Sequence, residues 1–317
     1  MKRIGFLLIL ILSGRLLPGQ AALPPIYFSH VTLWVDPATY QAVRESDFLR
    51  NHFSAFETRT TETEHNIVPT YTGTYLYGRH TYIEFIVAGS VASQPTRVGE
   101  LSLAMWVDDV QRLPVITESL VAHTHAGAAG GTRTLSVNGQ EIRWFENRYP
   151  LFPEEQQLTA DAWVLGIYPN YLWERYGNLH PDQDGTTREK ALQFSYKPER
   201  MLKDVMGFTL VLNPQDIARL IQEFEAFGYK IRSEGEKQIA QGPEIEFVLI
   251  PAGGKQPRSI AIEMALNQAN LGETNYSFGE ACLHFHDKAV TLTPRGAGNP
   301  NKLRTAAVER KHDVLSD

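Results

Sequence analysis

The feature of this sequence that most restricts its fold is a unit that recurs along the chain. Residues 27–35, YFSHVTLWV, alternate in the way of a half-buried strand. Asp36-Pro37 follows. An acid able to cap a helix, then a proline suited to its first turn, predicts a helix from there to about His52. Strand-like runs at 55–61, 71–77 and 81–87 complete a strand–helix–three-strand order. A second copy opens at Leu101 with LSLAMWVDDV, where Trp106-Val107-Asp108 repeats Trp34-Val35-Asp36. A helix over 109–121 and strands over 132–137, 141–145 and 162–167 are predicted after it. A third opens at Gly207, where GFTLVLNPQD parallels HVTLWVDPAT. Its helix, 215–227, sets Ile217, Leu220, Ile221 and Phe224 on one face and stops at Gly228. Strands at 229–233, 244–251 and 259–266 follow. Residues 170–205 read as a polar connector with a loop near 181–185, docked through Tyr171, Leu172, Trp173 and Tyr176. A hairpin over 280–286 and 289–293, turning at Asp287-Lys288, extends a sheet.

The first 22 residues have a different character. Lys2 and Arg3 precede an apolar run over 4–13, and Gly19-Gln20-Ala21-Ala22 supplies small residues, which is the pattern of a secretory signal peptide. The run is shorter than the roughly 20 apolar residues of a spanning helix, so no stable membrane insertion is expected after cleavage; a retained anchor is the alternative. Without Lys2, Arg3 and Arg15 the formal charge moves from −6 to −9. An exported, acidic chain is a poor partner for phosphates, so nucleic acid is excluded as a ligand. Cys282 is the one cysteine, which excludes an intrachain disulfide and, with export, points to a bacterial periplasm or extracellular location. The expected organisation is a signal peptide at 1–22, paired modules at 23–168, a connector at 169–203, a third module plus hairpin at 204–294, and a flexible tail at 295–317.

A strand–helix–three-strand module used in pairs resembles the vicinal oxygen chelate, or glyoxalase-like, superfamily. The residues that carry the resemblance are Phe28-Ser29-His30-Val31 on the first strand and Thr81-Tyr82-Ile83-Glu84 on the fourth. The block YLYGRHTYIEF also resembles one shared by a group of exported bacterial proteins of uncharacterised activity. The resemblance implies an α+β fold in which two modules form an open half-barrel around a substrate cavity, here with an additional module. It implies a small-molecule enzyme of the lyase, isomerase or dioxygenase type. A divalent metal (Zn, Mn, Fe or Ni) would be drawn from a first-strand His or Gln and a fourth-strand Glu, polarising a substrate oxygen.

Strand alternation bears on the same positions. Val31, Leu33 and Val35 share one face, and Phe28, His30, Thr32 and Trp34 the other; Ile83, Phe85 and Val87 oppose His80, Tyr82 and Glu84. His30 and Glu84 then look into one concavity, a workable half-set for a divalent cation. Ser102 and Gly207 stand where His30 does in the other copies, while Glu263 keeps an acid opposite Glu84. Three ligands, His30, Glu84 and Glu263, require the first and third copies to pair; if neighbouring copies pair, two remain. Glu84 or Glu263 is alternatively a general base, and Glu84 could simply pair with Arg79 or Arg59. Tyr75, Tyr77, Arg79 and Tyr82 are the expected substrate-binding residues. His123/His125 and His284/His286 share an i, i+2 spacing that fits no established zinc pattern. No serine-hydrolase elbow or phosphate loop is present, and Gly127 to Gly131 reads as a flexible loop. The rival function is a metal-free protein that binds or sequesters a small molecule with the same fold.

Overall fold

The structure is a computed structural model that describes residues 22–61, 70–91, 96–152, 159–177, 185–253, 259–269, 272 and 274–294. The segment expected to be a signal peptide, except Ala22, the expected tail at 295–317 and most of the expected loop at 181–185 lie outside these residues. Unit one comprises β1 (Tyr27–Val35), α1 (Pro37–Glu45), a π-helical turn (Leu49–Phe53), β2 (Ala55–Thr61), β3 (Tyr71–Tyr77) and β4 (Tyr82–Val87). Unit two comprises β5 (Leu101–Trp106), α2 (Leu113–Thr124), β6 (Gly127–Val137), β7 (Gln140–Leu151) and β8 (Ala160–Ile167). After α3 (Pro169–Tyr176) and α4 (Arg188–Leu192), unit three comprises β9 (Leu202–Leu212), α5 (Pro214–Ala226), β10 (Lys230–Glu234), β11 (Lys237–Gln241) and β12 (Glu246–Pro251). A fourth unit, β13 (Ser259–Leu266), β14 (Asn275–Phe278), β15 (Ala281–His286) and β16 (Ala289–Pro294), completes the chain.

Units one and two share an eight-stranded sheet, β2-β3-β4-β1-β5-β8-β7-β6, and units three and four a second, β10-β11-β12-β9-β13-β16-β15-β14. The fold is α+β with glyoxalase-like half-barrels built from repeated units. In each sheet the units' first strands meet antiparallel at the centre. In units one to three the fourth strand lies parallel to the first, because the helix returns the chain before the meander starts. β13 passes to β14 within residues 267–274, too few for such a crossover, and β16 is accordingly antiparallel to β13.

The expectation of three copies plus a hairpin misplaced β13, which opens unit four instead of closing unit three. The cause is β10–β11, KIRSE and KQIAQ, two short polar runs around a turn at Gly235 (φ 60°). Gly127 to Gly131 is strand β6, not a loop: at Gly130 a Cβ would lie 1.9 Å from the Asn147 carbonyl oxygen, so β7 approaches where only glycine fits.

Local chemistry sets the helices. The Asp36 carboxylate accepts from the N–H groups of Ala38 (2.9 Å) and Thr39 (3.0 Å), and Asn213 Oδ1 accepts from Asp216 N (2.8 Å). α5 buries Ile217, Leu220 and Phe224. One core serves both sheets: Val31, Leu33, Ile83, Phe85, Leu103, Phe208, Leu210, Phe247 and Ile262 belong to a single apolar cluster. A bulge in β1 between Phe28 and His30 turns Phe28 away from His30's face, and its ring meets Phe208 at 5.2 Å and Phe247 at 6.0 Å.

The units also cover one another. α2 packs on α5, with Ser119 Oγ donating to Ala226 O at 2.8 Å. α1 packs on β14, Glu280 N donates to Thr39 Oγ1 (2.9 Å), and Phe48 stacks on Tyr276 at 3.7 Å.

Candidate functional site

The concave face of the first sheet encloses a cavity of about 690 Å³, within the range of small-molecule sites. Its floor is set by strand register. Tyr75, Glu84, Thr32, Ser102 and Asp161 are successive cross-strand partners on β3, β4, β1, β5 and β8. The adjacent row is Tyr77, Tyr82, His30, Ala104 and Trp163. Two carboxyls thus occupy one row, separated by two hydroxyls.

Thr32 Oγ1 donates to Glu84 Oε2 at 2.9 Å. Among the described residues Glu84 Oε1 and the Tyr75 hydroxyl, both buried, have no partner in hydrogen-bond geometry. They meet above Gly73, where a Cβ would lie 2.8 Å from Glu84 Oε1 and 2.9 Å from Tyr75 Oη, so glycine keeps this corner open. Burial raises the Glu84 carboxyl above its ordinary value, against the opposing pull of Tyr75, Thr32 and Arg59. Burial likewise pushes the Asp161 carboxyl up to about 6, opposed by its hydrogen bond from Ser102. Trp163 Nε1 donates to Ser102 Oγ (3.0 Å), which orients that hydroxyl's own proton toward Asp161.

His30 is 6% exposed, and burial lowers its imidazole to about 3, so it is neutral at physiological pH. Its Nδ1 lies 3.1 Å from Ser29 Oγ, its ring stacks on Tyr82 at 4.2 Å, and Trp163 meets it edge-on at 5.7 Å. Tyr75 and Tyr77 stack at 5.8 Å. Arg59 lies 4.7 Å above the Tyr75 ring and 3.4 Å from Glu57. The phenols of Tyr75, Tyr77 and Tyr82 are held protonated, burial pushing each upward. The connector closes one side through Tyr171, Tyr176 and Leu192, while Trp106 Nε1 donates to Asp108 Oδ1 and Thr186 O, each at 3.0 Å. Trp173, expected to dock, is 37% exposed.

The structure brings together His30, Glu84, Tyr75, Tyr77 and Tyr82. It does not bring Glu263 or Arg79 to them. Glu263 stands on β13 of the second sheet, opposite Gly207, and the strand that answers β4 in unit three is β12, where Val248 stands opposite Thr209. Arg79 lies beyond the end of β3, in the 78–81 turn, paired with Glu189 (2.6 Å) outside the cavity. His80 in the same turn is held by Asp204. The set His30, Glu84 and Glu263 therefore does not converge. Among the described residues no group of three His, Cys, Asp or Glu side chains is placed to hold a metal ion. His284 spends both ring nitrogens on Asn275 Oδ1 (2.7 Å) and Thr293 Oγ1 (3.2 Å), and His123 Nδ1 lies 2.9 Å from Ser119 O.

Sequence reasoning passed over Asp161, and Ser102 as a cavity residue. Asp161 fell one residue ahead of the expected strand, although Asp161 and Trp163 alternate on β8 as Tyr82 and Glu84 do on β4.

A curled eight-stranded sheet of two strand–helix–three-strand units around one polar, aromatic-walled cavity defines a glyoxalase-like half-barrel with room for a small molecule. The chain belongs to the family described as "Family of unknown function (DUF5829)", whose model matches residues 28–290. No curated protein matches it in sequence. Among solved structures it is similar to a hypothetical protein from Staphylococcus aureus, at 9% identity and TM-score 0.45, over 74% of this chain and 94% of that one. It is also similar to a xylose isomerase-like TIM barrel/4-hydroxyphenylpyruvate dioxygenase fusion protein, at 11% identity and TM-score 0.37, over 75% of this chain and 33% of that one. A third similarity is to a mutant of 4-hydroxymandelate synthase from Streptomyces coelicolor, at 16% identity and TM-score 0.37, over 72% of this chain and 63% of that one. None of these likenesses bears on the chemistry. Among the described residues no helix is long and apolar enough to cross a membrane.

Proposed function

We propose that the first half-barrel binds a small organic molecule and acts on it by proton transfer at Glu84. The observation that carries this reading is the Glu84 carboxyl itself: one oxygen held by Thr32, the other buried, unpaired and lining the cavity, with its proton affinity raised by burial. Such a carboxyl lies nearer the range in which an acid can both take and give a proton. Thr32 fixes which oxygen faces the ligand. The neutral Tyr75 phenol offers a hydrogen bond to an oxygen on which charge develops, and His30 and Tyr82 form an uncharged wall. These roles suit an isomerase or lyase step that relocates a proton. The ligand set implied by the family resemblance does not fit these residues, so no step is assigned to a metal.

A second reading, binding without turnover, is favoured by the engagement of His30 with Ser29 and Tyr82, which makes it a wall. The test is a thermal-shift and calorimetric screen of anionic, neutral and cationic small molecules, followed by turnover assays of the hits on wild type and Glu84→Gln. Turnover that collapses in Glu84→Gln supports the enzyme. Hits that bind but are never converted support the binder, and a screen in which no class binds overturns both. Elemental mass spectrometry after incubation with Zn²⁺, Mn²⁺, Fe²⁺ and Ni²⁺, on wild type beside His30→Ala, checks the metal-free mechanism; stoichiometric metal lost in the variant overturns it. We also propose that the protein works outside the cytoplasm, from the pattern of residues 1–22. N-terminal sequencing of the protein from fractionated cells checks this, and an intact Met1 in the cytosolic fraction overturns it.

A further inference from the structure

We propose that the ligand of this cavity is an organic ammonium ion. Its charged nitrogen sits beside Asp161 and Glu100 at the end lined by Trp34 and Trp163, and a hydrogen-bond donor at its far end meets Glu84. The inference rests on the small-molecule reading above and names the ligand class for it.

The first argument is charge. Three arginines line the cavity, Arg59, Arg133 and Arg188. Arg59 is taken up by Glu57 and the face of Tyr75. Arg188 donates to Phe28 O at 2.8 Å, pairs with Glu244 and lies 4.5 Å above Tyr27. Arg133 stands opposite Phe145, which stands opposite Ile167. Ile167 is three alternate positions along β8 from Asp161, about 20 Å of strand. Among the described residues the one charged group that acts on Asp161 from within the cavity is Glu100, which repels it. Glu223, reaching β8 from α5 to accept from Ala162 N at 2.9 Å, is itself pushed well upward by burial and by Asp161, and Arg219 acts on Glu223 and Asp216 rather than on Asp161. A mostly buried carboxyl with a like charge beside it and no cation acting on it is stabilised by a cation brought in by a ligand.

The second argument is the wall. Trp34, Glu100, Asp161 and Trp163 all line the cavity, Trp163 two positions from Asp161 on β8 and Trp34 donating its backbone N–H to Glu100 O (3.1 Å), and indole rings attract ammonium groups through their quadrupole. The third is independent of both. Glu84, 5% exposed, presents an oxygen without a partner to the same cavity. It lies in the same register row as Asp161, three strand spacings away, about 14 Å measured along the sheet and less across its concavity. A ligand with a positive nitrogen at one end and a hydroxyl or second amine at the other satisfies both carboxyls. An anion satisfies neither.

The experiment is isothermal titration of the full chain with tyramine, phenethylamine, diaminoalkanes of graded length and para-hydroxyphenylacetate, above the pH at which Asp161 titrates. Tyramine or a diamine is expected to bind. Asp161→Asn should weaken it by about tenfold or more, while Asp161→Glu, which keeps the charge, retains most of the affinity. Phenethylamine, lacking the distal donor, should bind more weakly than tyramine to the wild type, and Glu84→Leu, which removes the acceptor, should bind the two equally. Circular dichroism of each variant separates lost binding from lost folding. Equal or tighter binding of para-hydroxyphenylacetate, unchanged amine affinity in Asp161→Asn, or no binding by any amine overturns the inference. In the last case, binding of an anion or neutral hit from the wider screen leaves the small-molecule reading standing, and absence of all binding removes both.

Discussion

The two half-barrels share one topology at their centres and differ in what their concave faces carry. Where unit one sets Tyr75, Glu84 and Thr32 in a row, unit three sets Ile239, Val248 and Thr209 in the equivalent row. Where unit one sets Tyr77, Tyr82 and His30, unit three sets Gln241, Glu246 and Gly207. The backbone pattern is indifferent to this exchange, because the helix-facing residues, Val31 and Leu33 against Phe208 and Leu210, keep the core either way. The chemistry of a half-barrel is thus written on the alternate positions that the core does not use. One half of this molecule carries buried, partly unsatisfied polar groups there, at a cost in stability; its partner sets Ile239 and Val248 where Tyr75 and Glu84 stand.

The sharpest way to break the comparison is at the acids. Glu84→Gln is expected to lower kcat/KM on a converted hit by about 10²–10⁴-fold, with thermal stability unchanged or higher because a buried carboxyl is relieved. Glu263→Gln in the second sheet should leave kcat/KM unchanged. Equal losses from both substitutions would mean that the halves are not functionally distinct.

Next in size is the shared core. Phe247→Ala removes a fully buried ring that meets Phe28, Phe208 and Phe224, and should destabilise the chain by about 3–5 kcal/mol in urea titration. The loss should fall on one cooperative transition reported by both halves. Two separate transitions would show that each half-barrel folds alone.

Acid titration is expected to show two opposed contributions from the first half-barrel. Folding holds His30 neutral by burial, its value about 3 against 6.5, so stability present above pH 6.5 is lost as the pH falls toward 3. Folding holds Asp161 protonated by burial, about 6 against 3.8, so its contribution is full below pH 3.8 and lost as the pH rises through 6. Asp161→Asn should therefore be more stable than wild type by about 1–2 kcal/mol above pH 6, with the gap closing below pH 4. His30→Phe should flatten the acid limb. Denaturation midpoints measured across this range check both, and a gap that widens on acidification reverses the assignment. The smallest effect is expected from Arg79→Ala. It cuts a solvent-exposed pair with Glu189 and should leave both the denaturation midpoint and the ligand affinity unchanged.

How far the sequence discloses this molecule follows the range over which each signal acts. Helices and central strands announce themselves locally, through Asp36-Pro37, Asn213-Pro214 and the alternation of 27–35, and the facing of His30, Tyr82 and Glu84 into one concavity follows from the same alternation. The fourth unit lacks the helix that marks the others, and the polar hairpin before it hides a strand; Glu263 was consequently matched to Glu84 instead of being placed on a first strand. Arg79 extends the alternation of Tyr75 and Tyr77 on paper, but β3 ends at Tyr77 and Asp204 pins the turn. The partnership of Glu84 with Asp161 runs through Thr32 and Ser102 on two intervening strands. It depends on three registers at once, and no local pattern contains it.

The docking of α1 on β14, together with α2 on α5, has a consequence for how the chain can be divided. Each half lends a helix to the other, and unit four leans on Phe48 of unit one in place of a helix of its own. A molecule of this kind repeats its units along the chain while bonding them across the seam. Cutting out 22–177 would strip α1 and α2 of the elements they pack on and the cavity of Arg188, Ala191, Leu192 and Ser195, so the first sheet carries a site that the rest of the chain completes.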